Sequence, residues 1–179
     1  MTCSGAFFAF LGGAPFVGGT LMGLTPSMLG LQFMFIAAGY IVGNYLSGRF
    51  ARRAGIDMMM LIGGVVALIG AAIPILLFAQ GYMSYLAFFA PQVVVGFGNG
   101  LSLPSTNAGI VSVRPELAGS ASGLGGAISM GGGAFVSWLA SRILSVETGA
   151  MPLLLVMFAC CVLALIAVVF LRFAPGEER

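Results

Sequence analysis

The side chains of this sequence best suited to chemistry in an apolar setting are neutral ones, concentrated between residues 91 and 107. Gln92, Asn99 and Ser102 are seven and three residues apart, so on an α-helix they share one face. Amide and hydroxyl groups surrounded by apolar residues need hydrogen-bond partners or water. Two interpretations of this face are open: hydrogen bonding to neighbouring helices, and the lining of a hydrated pathway for a solute.

Other neutral polar residues are candidates for the same pathway. Tyr40 and Asn44 lie in an earlier apolar stretch, and Asn107 follows Pro104. We therefore expect the substrate pathway to include Gln92, Asn99, Ser102, Asn107, Tyr40 and Asn44. Among the aromatic residues, Tyr40, Phe97 and Trp138 are candidate surfaces for an apolar ligand, although an aromatic side chain in such a stretch more often serves packing or interfacial anchoring.

Residue types that would support enzymatic chemistry are scarce. The chain has no histidine, and all five acidic residues lie between apolar stretches or at their ends. Its cysteines, Cys3 and the adjacent pair Cys160 and Cys161, have the spacing of neither a disulfide framework nor a metal site. A serine protease would lack its base, and a metalloenzyme would lack its ligands. We expect no enzymatic activity, no catalytic residue, no metal site and no resident cofactor.

Six long apolar stretches must position the candidate residues. The chain is 60% hydrophobic and 7% charged, and its mean hydropathy is +1.11. A bilayer-spanning helix needs about 20 apolar residues, and stretches this long and continuous favour helices over the strands of a barrel. The sequence predicts an all-α integral membrane fold in which residues 1–179 form a single six-helix domain, with spans at about 5–24, 29–49, 57–79, 84–112, 117–143 and 149–172.

The arginine residues predict how this domain is oriented. Cytoplasmic loops of membrane proteins collect positive charge. Arg49, Arg52 and Arg53 fall between the second and third spans, Arg114 falls between the fourth and fifth, and Arg172 follows the sixth. These places all lie on one side, so both termini are predicted to be cytoplasmic. The lipid bilayer is an expected partner, whereas a net charge of +2 does not favour nucleic acid.

Glycines are abundant in the fourth and fifth stretches. Gly119, Gly123 and Gly126 are three or four residues apart, a spacing that lets helix backbones approach closely, so we predict that they are helix-packing residues. The run Gly96–Gly100 is similar to a fragment of a dinucleotide-binding pattern. It follows no strand and has no acidic partner downstream, so nucleotide binding is not expected.

The basic segment Leu46–Gly55 carries the first specific resemblance. It resembles the cytoplasmic signature of the major facilitator superfamily, which reads roughly L-A-D-R-x-G-R-R and follows the second span of each half. The predicted signature comprises Gly48, Arg49, Arg52, Arg53 and Gly55, and its three arginines match. Because Gly48 replaces the aspartate of the signature and Ala51 its glycine, a gating salt bridge through that acid is not carried over. An alternative interpretation accounts for the arginines without the signature, as topology anchors and as hydrogen-bond donors to helix C-termini.

Further segments narrow the resemblance to one type of transporter. The runs Ala14–Val17, Gly43–Asn44, Pro104–Asn107 and Pro115–Leu124 are similar, in order and spacing, to the second half of a Bcr/CflA-type drug efflux transporter. The resemblance implies half of a twelve-helix antiporter in the cytoplasmic (inner) membrane, driven by the proton gradient and exporting hydrophobic small molecules. It also implies a partner, an N-terminal six-span half that carries the proton-binding acids.

The missing half leaves several functions open. In this fold the substrate cavity forms between two six-helix halves. We expect the chain to be a fragment that is inactive alone, because it starts close to its first span and carries no acid to replace those of the other half. The alternatives are a small homo-oligomeric six-span carrier or channel, and an assembly subunit without transport activity.

Overall fold

The computed structural model describes the backbone of residues 2–112 and 118–173, with side chains described within residues 5–109 and 119–170. These residues form helices joined by turns and contain no strand. The helices are α1 (Thr2–Pro15, continued by a π-helical segment, Phe16–Leu21), α2 (Pro26–Ala54), α3 (Ile56–Ala79), α4 (Tyr85–Ser112), α5 (Ala118–Ile143) and α6 (Met151–Phe173). The all-helical prediction is confirmed for this part of the chain. Residue 117, where the sequence predicts the fifth span to begin, and Arg114 lie outside the described residues.

The first helix changes its winding at Pro15. Proline lacks a backbone N–H and its ring clashes with the preceding turn, and a widened π-helical turn is one way to accommodate that loss. The segment Phe16–Leu21 follows directly and is π-helical. It brings Gly18 against the Leu29 side chain and the Phe89 ring. The helical segment stops at Leu21, three residues before the predicted end of the first span.

The second helix is longer at both ends than the predicted span 29–49. It begins at Pro26, and the Thr25 hydroxyl accepts a hydrogen bond from the Met28 N–H at 3.4 Å, as an N-cap residue does. It continues to Ala54 and ends at Gly55, whose φ of +85° favours glycine. The helix extends five residues beyond the predicted span end at residue 49, because arginine and alanine are good helix formers and the chain reverses only at Gly55.

The helix contacts follow one pattern in two groups of three consecutive helices, α1–α3 and α4–α6, and most of the contacts join one group to the other. α4 packs most extensively on α3 and α2, while α1 packs on α5 and α6, and α3 contacts α6. Exchanging α1–α3 with α4–α6 reproduces this pattern. Each group contains three helices, which is an odd number. The second group therefore starts at the opposite end of the helix bundle from the first. Such inverted three-helix repeats are found in secondary transporters.

Aromatic side chains fill the core where the first four helices meet. The ring of Phe10 on α1 lies 5.3 Å from Phe33 on α2 and 6.1 Å from Phe88 on α4. Phe88 in turn packs edge-on against Phe89 at 4.9 Å and lies 6.4 Å from Phe78 on α3. Offset and edge-on ring pairs contribute about 0.5–1.5 kcal/mol each beyond the area that they bury. This cluster joins α1 to α4 although the two helices share few other contacts.

Four described helices are long and apolar enough to cross a membrane: Pro26–Ala54, Ile56–Ala79, Tyr85–Gly109 and Met151–Phe170. A shorter apolar helix covers Gly5–Leu21. α5 is not among the four, and its sequence is rich in glycine and serine. Length and composition thus support a membrane protein with four candidate spans, fewer than the six that the sequence predicts.

Candidate solute pathway

Glycines on two sides of α4 hold it between its neighbours. A Cβ atom added at Gly98 would lie 2.5 Å from the Ala67 backbone nitrogen and 2.6 Å from the Gly63 carbonyl oxygen, both on α3. On the other side, a Cβ at Gly96 would lie 2.7 Å from the Ile36 carbonyl oxygen on α2. The glycine run that resembles a nucleotide-binding fragment is therefore a close-packing surface between helices.

Gln92 and Asn99 point into the interior of the bundle. Their side chains are 2% and 3% exposed. Together they line a cavity of about 10 Å³, counted as space open to the centre of a water-sized sphere. Its other walls are Phe7 and Phe10 of α1, Ile36 of α2, Val95 and Gly96 of α4, and Met157 of α6. The sequence places both amides on one helix face, and the structure brings them to one cavity.

Ser102 is buried on a different side of α4. Its hydroxyl donates a hydrogen bond to the Met60 carbonyl oxygen of α3 at 3.3 Å. A second serine contact, which sequence analysis missed, ties α2 to α4: the Ser47 hydroxyl donates to the Leu101 carbonyl oxygen at 2.9 Å and lies 3.4 Å from the Ser105 hydroxyl. A serine inside an apolar helix needs a partner, which is the signal that could have identified Ser47.

The other predicted pathway residues lie away from the cavity walls. Tyr40 is partly exposed and Asn44 is half-buried on α2, where both backbones approach Gly100 of α4. Asn107 is exposed near the end of α4. The structure therefore divides the predicted set into an internal pair, a serine bonded to α3, and three residues nearer the surface.

The basic signature belongs to the end of α2 instead of a loop. Arg49, Arg52 and Arg53 are exposed, and the last two lie in the final helical turn. Cations at a helix C-terminus interact favourably with the helix dipole by about 0.3–1 kcal/mol each. Gly48 is exposed within the helix and Gly55 forms the reversal into α3, whose first turn carries Asp57. The location of the three arginines near the C-terminus of α2 thus explains them as charges at a helix end.

The glycines of α5 divide into packed and open positions. A Cβ atom at Gly119, Gly123 or Gly126 would meet no atom within 4 Å. The prediction that they pack against a helix is therefore not met within the described chain. Gly133, further along, contacts the ring of Phe8 on α1. The register of α5 against α1 decides which glycines are covered, and sequence spacing alone does not contain that register.

Two aromatic features lie at the surface. Trp138 on α5 is 52% exposed, stacks on Phe135 with ring centres 5.9 Å apart, and lies under the Arg142 guanidinium at 5.4 Å. Phe97 lines an open apolar groove of about 480 Å³ between α2 and α4, together with Phe35, Ala38, Gly39, Val42, Val93 and Val94. Phe97 and Trp138 therefore lie on different helices, and neither lines the amide cavity.

Metal ligands do not gather anywhere in the described part of the chain, where no three His, Cys, Asp or Glu side chains lie close enough to hold an ion.

The comparison with protein families gives a positive result: the sequence pattern of the Major Facilitator Superfamily matches residues 1–137. The chain belongs to the major facilitator superfamily. Comparisons with curated proteins and with solved structures found no match.

Membership of the superfamily gives the apolar helices a function. The superfamily consists of membrane transporters, so this member is a membrane protein of a transporter family. The family match, the apolar helices and the repeated three-helix contacts agree with one another.

Proposed function

We propose that this superfamily member is the C-terminal, six-span half of a proton-coupled efflux transporter that exports small hydrophobic molecules, similar to the Bcr/CflA type. Both termini are cytoplasmic in this proposal, and the complete transporter lies in the inner membrane. The superfamily match over residues 1–137 is the observation that carries the transport assignment.

Open helix faces support the assignment as one half of a larger transporter. Gly119, Gly123, Gly126, Gly131 and Gly132 on α5 would each leave an added Cβ without a neighbour within 4 Å. α2 is the least buried of the four candidate spans. Surfaces of small residues suit close helix approach, and transporters of this architecture form their solute cavity between two halves. We assign the exposed faces of α2 and α5 to contact with an N-terminal half, on the same chain or a separate one.

The distribution of charge supports dependence on that other half. The described acidic residues are Asp57 in the first turn of α3 and Glu147 in the turn before α6. Proton carriers inside a membrane are normally acidic residues or histidines. We therefore propose that the other half supplies the proton-carrying groups, while this half contributes a neutral surface that includes Tyr40, Asn44 and Asn107.

An efflux measurement tests the proposal. Cells that express a C-terminally tagged form of this chain alone should accumulate ethidium to the same level as cells without it, with an intact superfamily drug exporter as the positive control. The tag shows that the chain is present in the membrane. Lower ethidium accumulation with this chain alone would contradict the half-transporter proposal and favour a homo-oligomeric carrier.

Crosslinking tests the proposed contact face separately. In a variant whose three cysteines are replaced by alanine, Gly123→Cys places a thiol on the open face of α5. Leu163→Cys on α6, a side chain that is 57% exposed, is the matched control. If the proposal is right, the Gly123→Cys thiol crosslinks to a co-expressed N-terminal half and the Leu163→Cys thiol does not. Equal crosslinking from both positions would contradict the assigned face.

A further inference from the structure

The amide cavity contains two hydrogen-bond donors that the described protein atoms leave unused. The Gln92 Nε2 and Asn99 Nδ2 atoms are buried, and neither has a hydrogen-bond partner among the described residues. Leaving a buried amide unpaired is unfavourable, because the group loses its bonds to water and gains none in exchange. Such groups in native proteins normally have a partner, from the protein or from ordered water.

The cavity has the size for a small partner. Its volume of about 10 Å³ is close to the roughly 10–15 Å³, measured in the same way, that one water molecule requires. A water oxygen has two lone pairs, so one molecule can accept hydrogen bonds from both amides. The remaining walls are apolar side chains and Gly96, and they include no ionisable group. A neutral acceptor therefore suits this site better than an ion.

We propose that this cavity is an internal hydration site, in which one water molecule accepts hydrogen bonds from the Gln92 and Asn99 amides. Phe7 forms its outer wall: it is 42% exposed, whereas the side chains of Phe10, Ile36, Val95 and Met157 are buried. The site solvates the middle of α4, and it does not depend on the proposed transport function.

Radiolytic hydroxyl-radical labelling of the purified full chain in nanodiscs tests the proposal, because radicals formed from a bound water oxidise the side chains beside it. Met157 lines the cavity and is 1% exposed, while Met59 does not line it and is 6% exposed. Phe10 and Phe88 form a second matched pair, since both are buried and only Phe10 lines the cavity. We expect Met157 and Phe10 to be oxidised several-fold faster than their controls. Slower or equal oxidation of Met157 would overturn the proposal.

Two substitutions test the assigned donors. Asn99→Leu and Gln92→Met keep nearly the same side-chain size and remove the amides. Oxidation of Met157 should fall to the rate of Met59 in the double variant and stay unchanged in Ser47→Ala, which removes a buried hydroxyl elsewhere on the α2–α4 contact. Undiminished Met157 oxidation in a folded double variant would overturn the role of the amides. The wild-type comparison remains decisive if the double variant does not fold.

Discussion

Replacing Gly98 by alanine tests whether close backbone contact holds α3 against α4. The new methyl group would lie 2.5 Å from the Ala67 nitrogen and 2.6 Å from the Gly63 carbonyl oxygen, whereas ordinary van der Waals contact begins near 3.4 Å. Both atoms belong to the backbone of α3, so a change of side-chain rotamer cannot relieve the overlap. The two helices must instead separate by almost 1 Å at this point.

The expected loss of stability follows from two opposing effects. Overpacking a well-packed interior costs about 1–3 kcal/mol, and a backbone overlap belongs at the upper end of that range. Alanine improves helix propensity over glycine by about 1 kcal/mol. We expect Gly98→Ala to lower the free energy of unfolding by about 2 kcal/mol, which shifts the unfolding equilibrium about thirtyfold.

Gly126→Ala on α5 is the matched control, because its methyl group meets no atom within 4 Å. In the purified chain this substitution should raise the free energy of unfolding by up to about 1 kcal/mol through helix propensity. Unfolding in mixed micelles with increasing sodium dodecyl sulfate, followed by far-UV circular dichroism, measures both variants. A Gly98→Ala protein as stable as the Gly126→Ala protein would refute the close-contact reasoning.

Three further predictions concern other contacts. Ser47→Ala removes the hydrogen bond to the Leu101 carbonyl oxygen and should lower the free energy of unfolding by about 0.6–1.7 kcal/mol in the same assay; no change would mean that the bond contributes nothing. Arg142→Gln should change the emission spectrum of Trp138, the single tryptophan, by removing the cation over its ring; an unchanged spectrum would contradict that contact. Glutamine in place of the exposed cations Arg49, Arg52 and Arg53 at the end of α2 should disturb the membrane orientation measured by reporter fusions. An unchanged reporter pattern would argue against their anchoring role.

Helix positions followed closely from composition and from turn residues. The range 57–79 predicted for the third span differs by one residue from Ile56–Ala79, because glycine before it and polar residues after it interrupt the apolar run. The sequence predicts that the second span ends at residue 49, because arginines favour a loop, whereas α2 continues to Ala54. Arginine is a good helix former, so the helix continues after the apolar stretch has ended. The end of the apolar stretch is therefore not the end of the helix.

Burial and contact partners depended on tertiary structure. Periodicity predicts that Gln92 and Asn99 share a face, but only the packing of α1, α2 and α6 around α4 decides that both amides are buried at one cavity. The spacing of Gly119, Gly123 and Gly126 is that of packing residues, yet an added Cβ atom at these positions would meet no described atom within 4 Å, whereas one at Gly98 would meet the backbone of α3. Local sequence determines where a membrane helix forms, because hydrophobicity and backbone hydrogen bonding act within one segment. Which face of that helix meets a neighbour depends on rotation and register between segments, and these are decided only when the helices pack together.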